Sequence, residues 1–132
     1  VMHATTIAQV TDLASTINEL KAKNLLHDTV VLMFGANSAF TKGQLERELK
    51  RIGMEKQIFL VTTTTSKTWR DDVNHVYEAV SEKYSNVHVL DWNEYSKDQD
   101  WFYSHKSYVT EVGAHEEALF FAKKIYETLR GN

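Results

Sequence analysis

The side chains best placed to do chemistry in this sequence are those of Gly35-Ala36-Asn37-Ser38, which follow the apolar run Val30-Val31-Leu32-Met33-Phe34. Asn37 carries an amide that donates and accepts, and Ser38 carries a hydroxyl. At the exit of a buried parallel strand, an amide donor stands at the rim where α/β proteins place their ligands. The same amide can instead hold the strand-to-helix turn by bonding backbone groups, and a Ser after Asn reads first as a turn or cap residue. The two readings of Asn37 stay open at this level.

Other reactive side chains are scattered. Six histidines suggest a metal, and only His3 with His27, or His105 with His115, fall near a common helix end. Neither pair has the i,i+4 spacing with an acid that helix-borne zinc sites use, so no metal and no cofactor is expected. Trp92, Trp101, Phe102 and Tyr103 have the surface to stack on a sugar, but aromatic residues closing a loop over a core are commoner. Asp91, Asp98 and Asp100 lack the Gly-containing ligand loop of a calcium site. With no cysteine in the chain, disulfides, thiolate-zinc centres and cysteine nucleophiles are excluded.

Something must position these groups, and 132 residues suffice for one domain with one core. We read residues 1–132 as that single domain. The formal charge of −3 gives no electrostatic reason to expect nucleic acid as a partner. No apolar run is long enough to span a bilayer, and Val1 to Val10 lacks a basic stretch followed by an apolar one. The chain as it stands is therefore expected to be soluble.

Helical and strand periodicities alternate. Ile7, Val10, Leu13, Ile17 and Leu20 recur at helical spacing, which predicts a helix over roughly Thr5 to Asn24. The strand Val30 to Phe34 follows. Thr41 is placed to cap a helix that buries Leu45, Leu49 and Ile52 and stops at Gly53. Gln57 to Thr62 is β-rich, and Thr62 to Thr65 lead into a polar loop ending near Trp69. A third helix carries Val73, Val76, Tyr77, Val80 and Tyr84 on one face and breaks at Asn86. Val87 to Trp92 reads as a third strand, and Asn93 to about Val109 as a long loop. The last helix starts near Thr110 or Glu111. The order αβαβαβα implies a parallel sheet with right-handed crossovers and helices on both faces, that is, a three-layer α/β/α sandwich. Ligands in such folds bind at the C-terminal ends of the strands. Gly35 to Phe40, Thr62 to Trp69 and Trp92 to Tyr108 are then the loops that matter.

From about residue 20 to its end the sequence is similar to the extracellular SGNH (GDSL-type) domain of bacterial peptidoglycan O-acetyltransferases. Leu26 to Thr41 resembles the family's "VVI-LGTNG-FT" block, with Ala36 and Ser38 in place of Thr and Gly. Trp69-Arg70-Asp71-Asp72-Val73-Asn74 resembles "W…VN", and Asn86 to Trp92 resembles "NV-VVDW". Thr110-Glu111-Val112-Gly113-Ala114 resembles the "T-x-x-G-A" that follows the catalytic Asp-x-x-His. The resemblance implies an SGNH-like sandwich in which Gly35, Asn37, Ser38 and Trp69 border the acyl pocket, with Asn37 as an oxyanion-hole donor.

Departures from the pattern bear on catalysis. The family attacks an acyl carbonyl with the Ser of a "GDS" block at the end of its first strand, and no such block occurs in this sequence. The glycine of the family's second block is absent as well. With Thr110 and Gly113 fixing the register, the Asp and His of the last block fall on His105 and Tyr108. A phenol with an ordinary pKa of about 10 is protonated at neutral pH and does not take a serine proton without a large shift. An oxyanion hole stripped of its triad retains on the order of 10³-fold over water in well-studied hydrolases.

The resemblance thus implies a truncated SGNH-like domain, without its first strand and with a degenerate catalytic block. It further implies a cell-wall glycan or acyl substrate, a parent protein with a membrane domain, and a place on the extracellular face of a bacterial membrane or in the cell wall. Three functional readings follow. One is a catalytically inactive or incomplete domain, a pseudoenzyme; another is an O-acetyltransferase or esterase whose nucleophile lies outside this chain; the last is a non-catalytic interaction module. With the first strand missing, Val30 to Phe34 would be an exposed apolar edge, which soluble proteins protect. We expect it to be covered by a second copy of the chain, by a partner segment or by the N-terminal segment.

Overall fold

A computed structural model describes residues 4–8, 12–34, 39–103 and 108–131. Strands β1 (Ala4–Ala8), β2 (Thr29–Met33), β3 (Gln57–Val61) and β4 (Val87–Leu90) form one parallel sheet in the order β1-β2-β3-β4. Between them run α1 (Leu13–Ala22), α2 (Lys42–Ile52) and α3 (Arg70–Lys83), and α4 (Trp92–Ser96) and α5 (Glu111–Gly131) follow β4.

The pleat sorts the sheet's side chains into two cores. Val30, Leu32, Ile58 and Leu60 point toward α1–α3 and meet Ile17, Leu45, Leu49, Val73, Tyr77 and Val80. Val31, Phe59, Val61 and Leu90 point the other way and meet Trp92, Phe120 and Ile125. The parallel α/β architecture with helices on both faces is as expected, and β2 and β3 are buried on both sides, as their unbroken apolar runs imply.

The N-terminal expectation is corrected. Ala4–Ala8 is a strand rather than the start of a helix, and it pairs with β2 from Ala4↔Thr29 to Ala8↔Met33. The sheet therefore has four strands instead of three. Two local forces override the helical spacing of Ile7. Thr5, Thr6 and Ile7 are three successive β-branched residues, which favour a strand, and Asp12 starts the helix five residues later by accepting the Ser15 N–H at 3.0 Å. Of the three covers expected for the β2 edge, the N-terminal segment of the same chain occupies it. Thr5 fixes it there, donating to the Leu25 carbonyl at 2.8 Å and accepting the His27 N–H at 2.9 Å.

Helix α2 carries the expected cap at Thr41 as a full capping box with Gln44. It ends at Gly53, whose φ of +124° suits only glycine. The expected third strand is shorter than its sequence suggested. Asp91 leaves β4 to become the N-cap of α4, so Trp92 starts a helix and the segment to Val109 is not one continuous loop. Phe102 and Val109 then pair as an isolated antiparallel bridge.

Candidate functional site at the C-terminal edge of the sheet

Parallel strands end on one side of the sheet, and there the chain leaves a cavity of about 140 Å³. Met33 and Phe34 line it from the end of β2, Val61 to Thr64 from the end of β3, and Trp92 from the start of α4. Phe102, Tyr108 and Val109 close it from the bridged segment, and Glu117 reaches it from α5. Two of the three loops singled out by topology contribute described residues to this wall.

The threonine run is a built feature, not a solvated loop: Thr62, Thr63 and Thr65 are buried. Thr62 Oγ1 donates to Asp91 Oδ1 at 3.1 Å and accepts the Asn93 N–H at 2.8 Å, which joins the end of β3 to the cap of α4. Asn74 on α3 accepts the Thr63 N–H at 2.8 Å and donates back to the Thr63 carbonyl at 3.1 Å. An amide side chain paired with a backbone amide satisfies both groups of a residue that no ladder serves at that point. At the end of β2, the buried Tyr77 hydroxyl donates to the Phe34 carbonyl, and burial holds its pKa well above the ordinary phenol value. Phe34, Phe40 and Tyr77 pack as an aromatic cluster beside that bond.

The far wall depends on Thr110 and Gly113. Thr110 donates its N–H to the Trp101 carbonyl at 2.7 Å and accepts the Gly113 N–H on its hydroxyl at 3.2 Å. A Cβ on Gly113 would overlap the Trp101 carbonyl and side chain, so α5 approaches the Trp101 backbone only because that residue is glycine. Trp101 in turn stacks on Trp92 with ring centroids 5.6 Å apart. Trp92, enclosed by Phe102, Phe120 and Phe121, belongs to the core and also lines the cavity. Tyr103 is exposed.

Among the residues singled out from the sequence, Gly35, Asn37, Ser38 and His105 lie outside the described residues, as does His3. Tyr108 stands at the cavity mouth with most of its side chain exposed, and its carbonyl accepts the Tyr103 N–H at 3.0 Å. Trp69 is the N-cap residue of α3 and packs, half-buried, against the core on the α1–α3 side. Among the described residues no group of three His, Asp or Glu side chains is placed to hold a metal ion, and no helix is long and apolar enough to cross a membrane.

Glu117 was not legible from the sequence, where it is one acid of the pair Glu116-Glu117 on an amphipathic helix. In the fold its carboxyl lies in the cavity wall, and burial there pushes its pKa up to about 7. A helical-face projection of α5 that set Phe120 and Gly113 inward would have placed Glu117 on the same face, one turn from each.

No family model matches the sequence. A Staphylococcus aureus (strain MSSA476) protein provisionally named an O-acetyltransferase is 34% identical over 90 residues, which are 68% of this chain and 14% of that protein. The O-acetyltransferase OatA of S. aureus strain NCTC 8325 is 34% identical over 88 residues, 67% of this chain and 13% of its own length. The chain thus spans about one seventh of the length of the curated relatives it matches. With a third of the residues identical over about two thirds of its length, the chain is a homologue of these staphylococcal O-acetyltransferases.

Proposed function

We propose that this chain is an SGNH-type domain of the cell-wall O-acetyltransferase lineage that keeps the acyl pocket's scaffold and lacks its catalyst. One observation carries the reading: Tyr108 stands at the mouth of the strand-end cavity, at the position where the family's general base is expected. A neutral phenol there does not activate a hydroxyl nucleophile, and no Gly-Asp-Ser block supplies one. Gly35, Asn37 and Ser38 would then border a pocket that binds without turning over, with a cell-wall glycan or its acyl group as the ligand class. The family resemblance implies a place at the extracellular face of a bacterial membrane or in the cell wall. Covering of the β2 edge by β1 removes the strongest reason for a second copy on that side.

Hydrolysis of p-nitrophenyl acetate tests the reading directly, with Asn37→Ala and His105→Ala beside the parent chain. We expect all three to give the rate of buffer within error. Saturable turnover in the parent that both substitutions abolish would overturn it.

A further inference from the structure

We propose that the strand-end cavity is a binding site for a small organic ammonium head group, with Glu117 as its anion and the rings of Trp92, Phe102 and Tyr108 as its cage. The proposal names a different occupant for the cavity assigned above to an acyl or glycan ligand, and it needs no nucleophile. It stands first on composition: the cavity wall combines aromatic residues, aliphatic side chains and threonines with a single carboxyl. Ring faces carry negative quadrupole potential and attract cations, above all alkylated ammonium groups that shed water easily. A carboxylate beside them supplies the counter-charge that an apolar cavity otherwise lacks.

Second, Glu117 is unused by the protein. Among the described residues no hydrogen bond or ion pair engages its carboxyl, whereas Asp12, Glu19, Glu46, Glu48, Asp71 and Glu94 each bond a cation or a backbone amide. A half-buried, unpartnered acid in a cavity wall costs stability, and the chain gains nothing visible in return. Third, no described cation competes for it. β2 offers Met33 and Phe34, β3 offers Val61 and Thr62 to Thr64, α4 offers Trp92, and the bridged segment offers Phe102, Val109 and the Tyr108 phenol. The size is right for a head group: about 140 Å³ accommodates roughly a benzene-sized moiety, well below the volume of a whole drug-sized ligand.

Charge state separates this ligand class from neutral ones. An ammonium requires ionised Glu117, whose pKa burial pushes up to about 7. Affinity must therefore rise with pH through that range, by roughly tenfold between pH 6 and pH 8.5, following the fraction ionised. A neutral ligand of the same shape shows no such rise.

The test is calorimetric titration of the intact chain with choline and with its uncharged isostere 3,3-dimethyl-1-butanol, each at pH 6 and pH 8.5. Choline is expected to bind more tightly than the isostere at pH 8.5, with the roughly tenfold gain over pH 6 confined to choline. Glu117→Gln should abolish both the preference and the pH step. Its fold can be checked independently by thermal unfolding, where it is expected to match or exceed the parent. Equal affinity for the two compounds, no binding of choline at pH 8.5, or a pH step that survives Glu117→Gln would each overturn the proposal.

Discussion

Glu117 exerts its effect on stability whether or not a ligand is ever bound. Its carboxyl is pushed up to about 7 from an ordinary value of 4.5 by burial alone, so the folded chain keeps a proton that the unfolded chain has already released. Stability from this group is complete below about pH 4.5 and is lost as pH rises through 7, because ionising the folded form means charging a group in an apolar wall. The loss is on the order of 1–3 kcal/mol after allowance for the part of the side chain that water reaches. Urea denaturation of the parent should therefore give a lower midpoint at pH 8 than at pH 5. Glu117→Gln keeps the shape, removes the titration, and should recover most of that difference. A parent midpoint that is flat across this range would show that the carboxyl is better solvated than its surroundings imply.

At the scale of elements, the cavity depends on how α3 and α5 are fastened to the strand ends, and here the sequence was partly readable. The blocks Trp69 to Asn74 and Thr110 to Ala114 stood out only by resemblance, and the fold supplies their physics. Asn74 clamps the Thr63 backbone, Thr110 caps α5 onto Trp101, and Gly113 permits the contact. The faces of α2 and α3, the Thr41 cap and the buried strands were legible because periodicity and capping chemistry are local. The β1 strand, the short α4 and the inward Glu117 were not, because each is decided by partners distant in sequence: the open edge of β2, the Thr62 hydroxyl and the cavity. The Asn74 clamp makes a sharp test. Asn74→Ala leaves the N–H and carbonyl of buried Thr63 without partners, and should cost about 2 kcal/mol in chemical denaturation. Asn74→Asp should recover only the part owed to the accepted Thr63 N–H, since a carboxylate cannot donate to the carbonyl. Equal stability of the parent and the Ala variant would mean that water replaces the clamp without loss.

For the whole molecule, the decisive feature is that the outer strand opposite β4 is β1 and not β2. β2 is an unbroken apolar strand, the kind that templates pairing with another chain when left bare. β1 is a better edge. Its burial alternates, with Thr5 and Ile7 inward and Thr6 and Ala8 toward solvent, and it is only five residues long. It is held by five residue pairs to β2 and by the Thr5 bonds to Leu25 and His27, while the helix behind it contributes Ile17 to the same core as Ile7. Removing residues 1–8 should therefore do two things at once. The lost packing of Ile7 alone should lower stability by about 2–5 kcal/mol. The bared β2 edge should also drive self-association, seen by light scattering as dimers or larger species that grow with concentration. Thr5→Val separates the two effects: it keeps the strand's shape and its cover of β2 but removes the hydroxyl bonds, so it should destabilise without causing association. If the shortened chain stayed monomeric at high concentration, the cover would be a packing contribution only, and the apolar character of β2 would reflect burial beneath helices rather than protection of an edge.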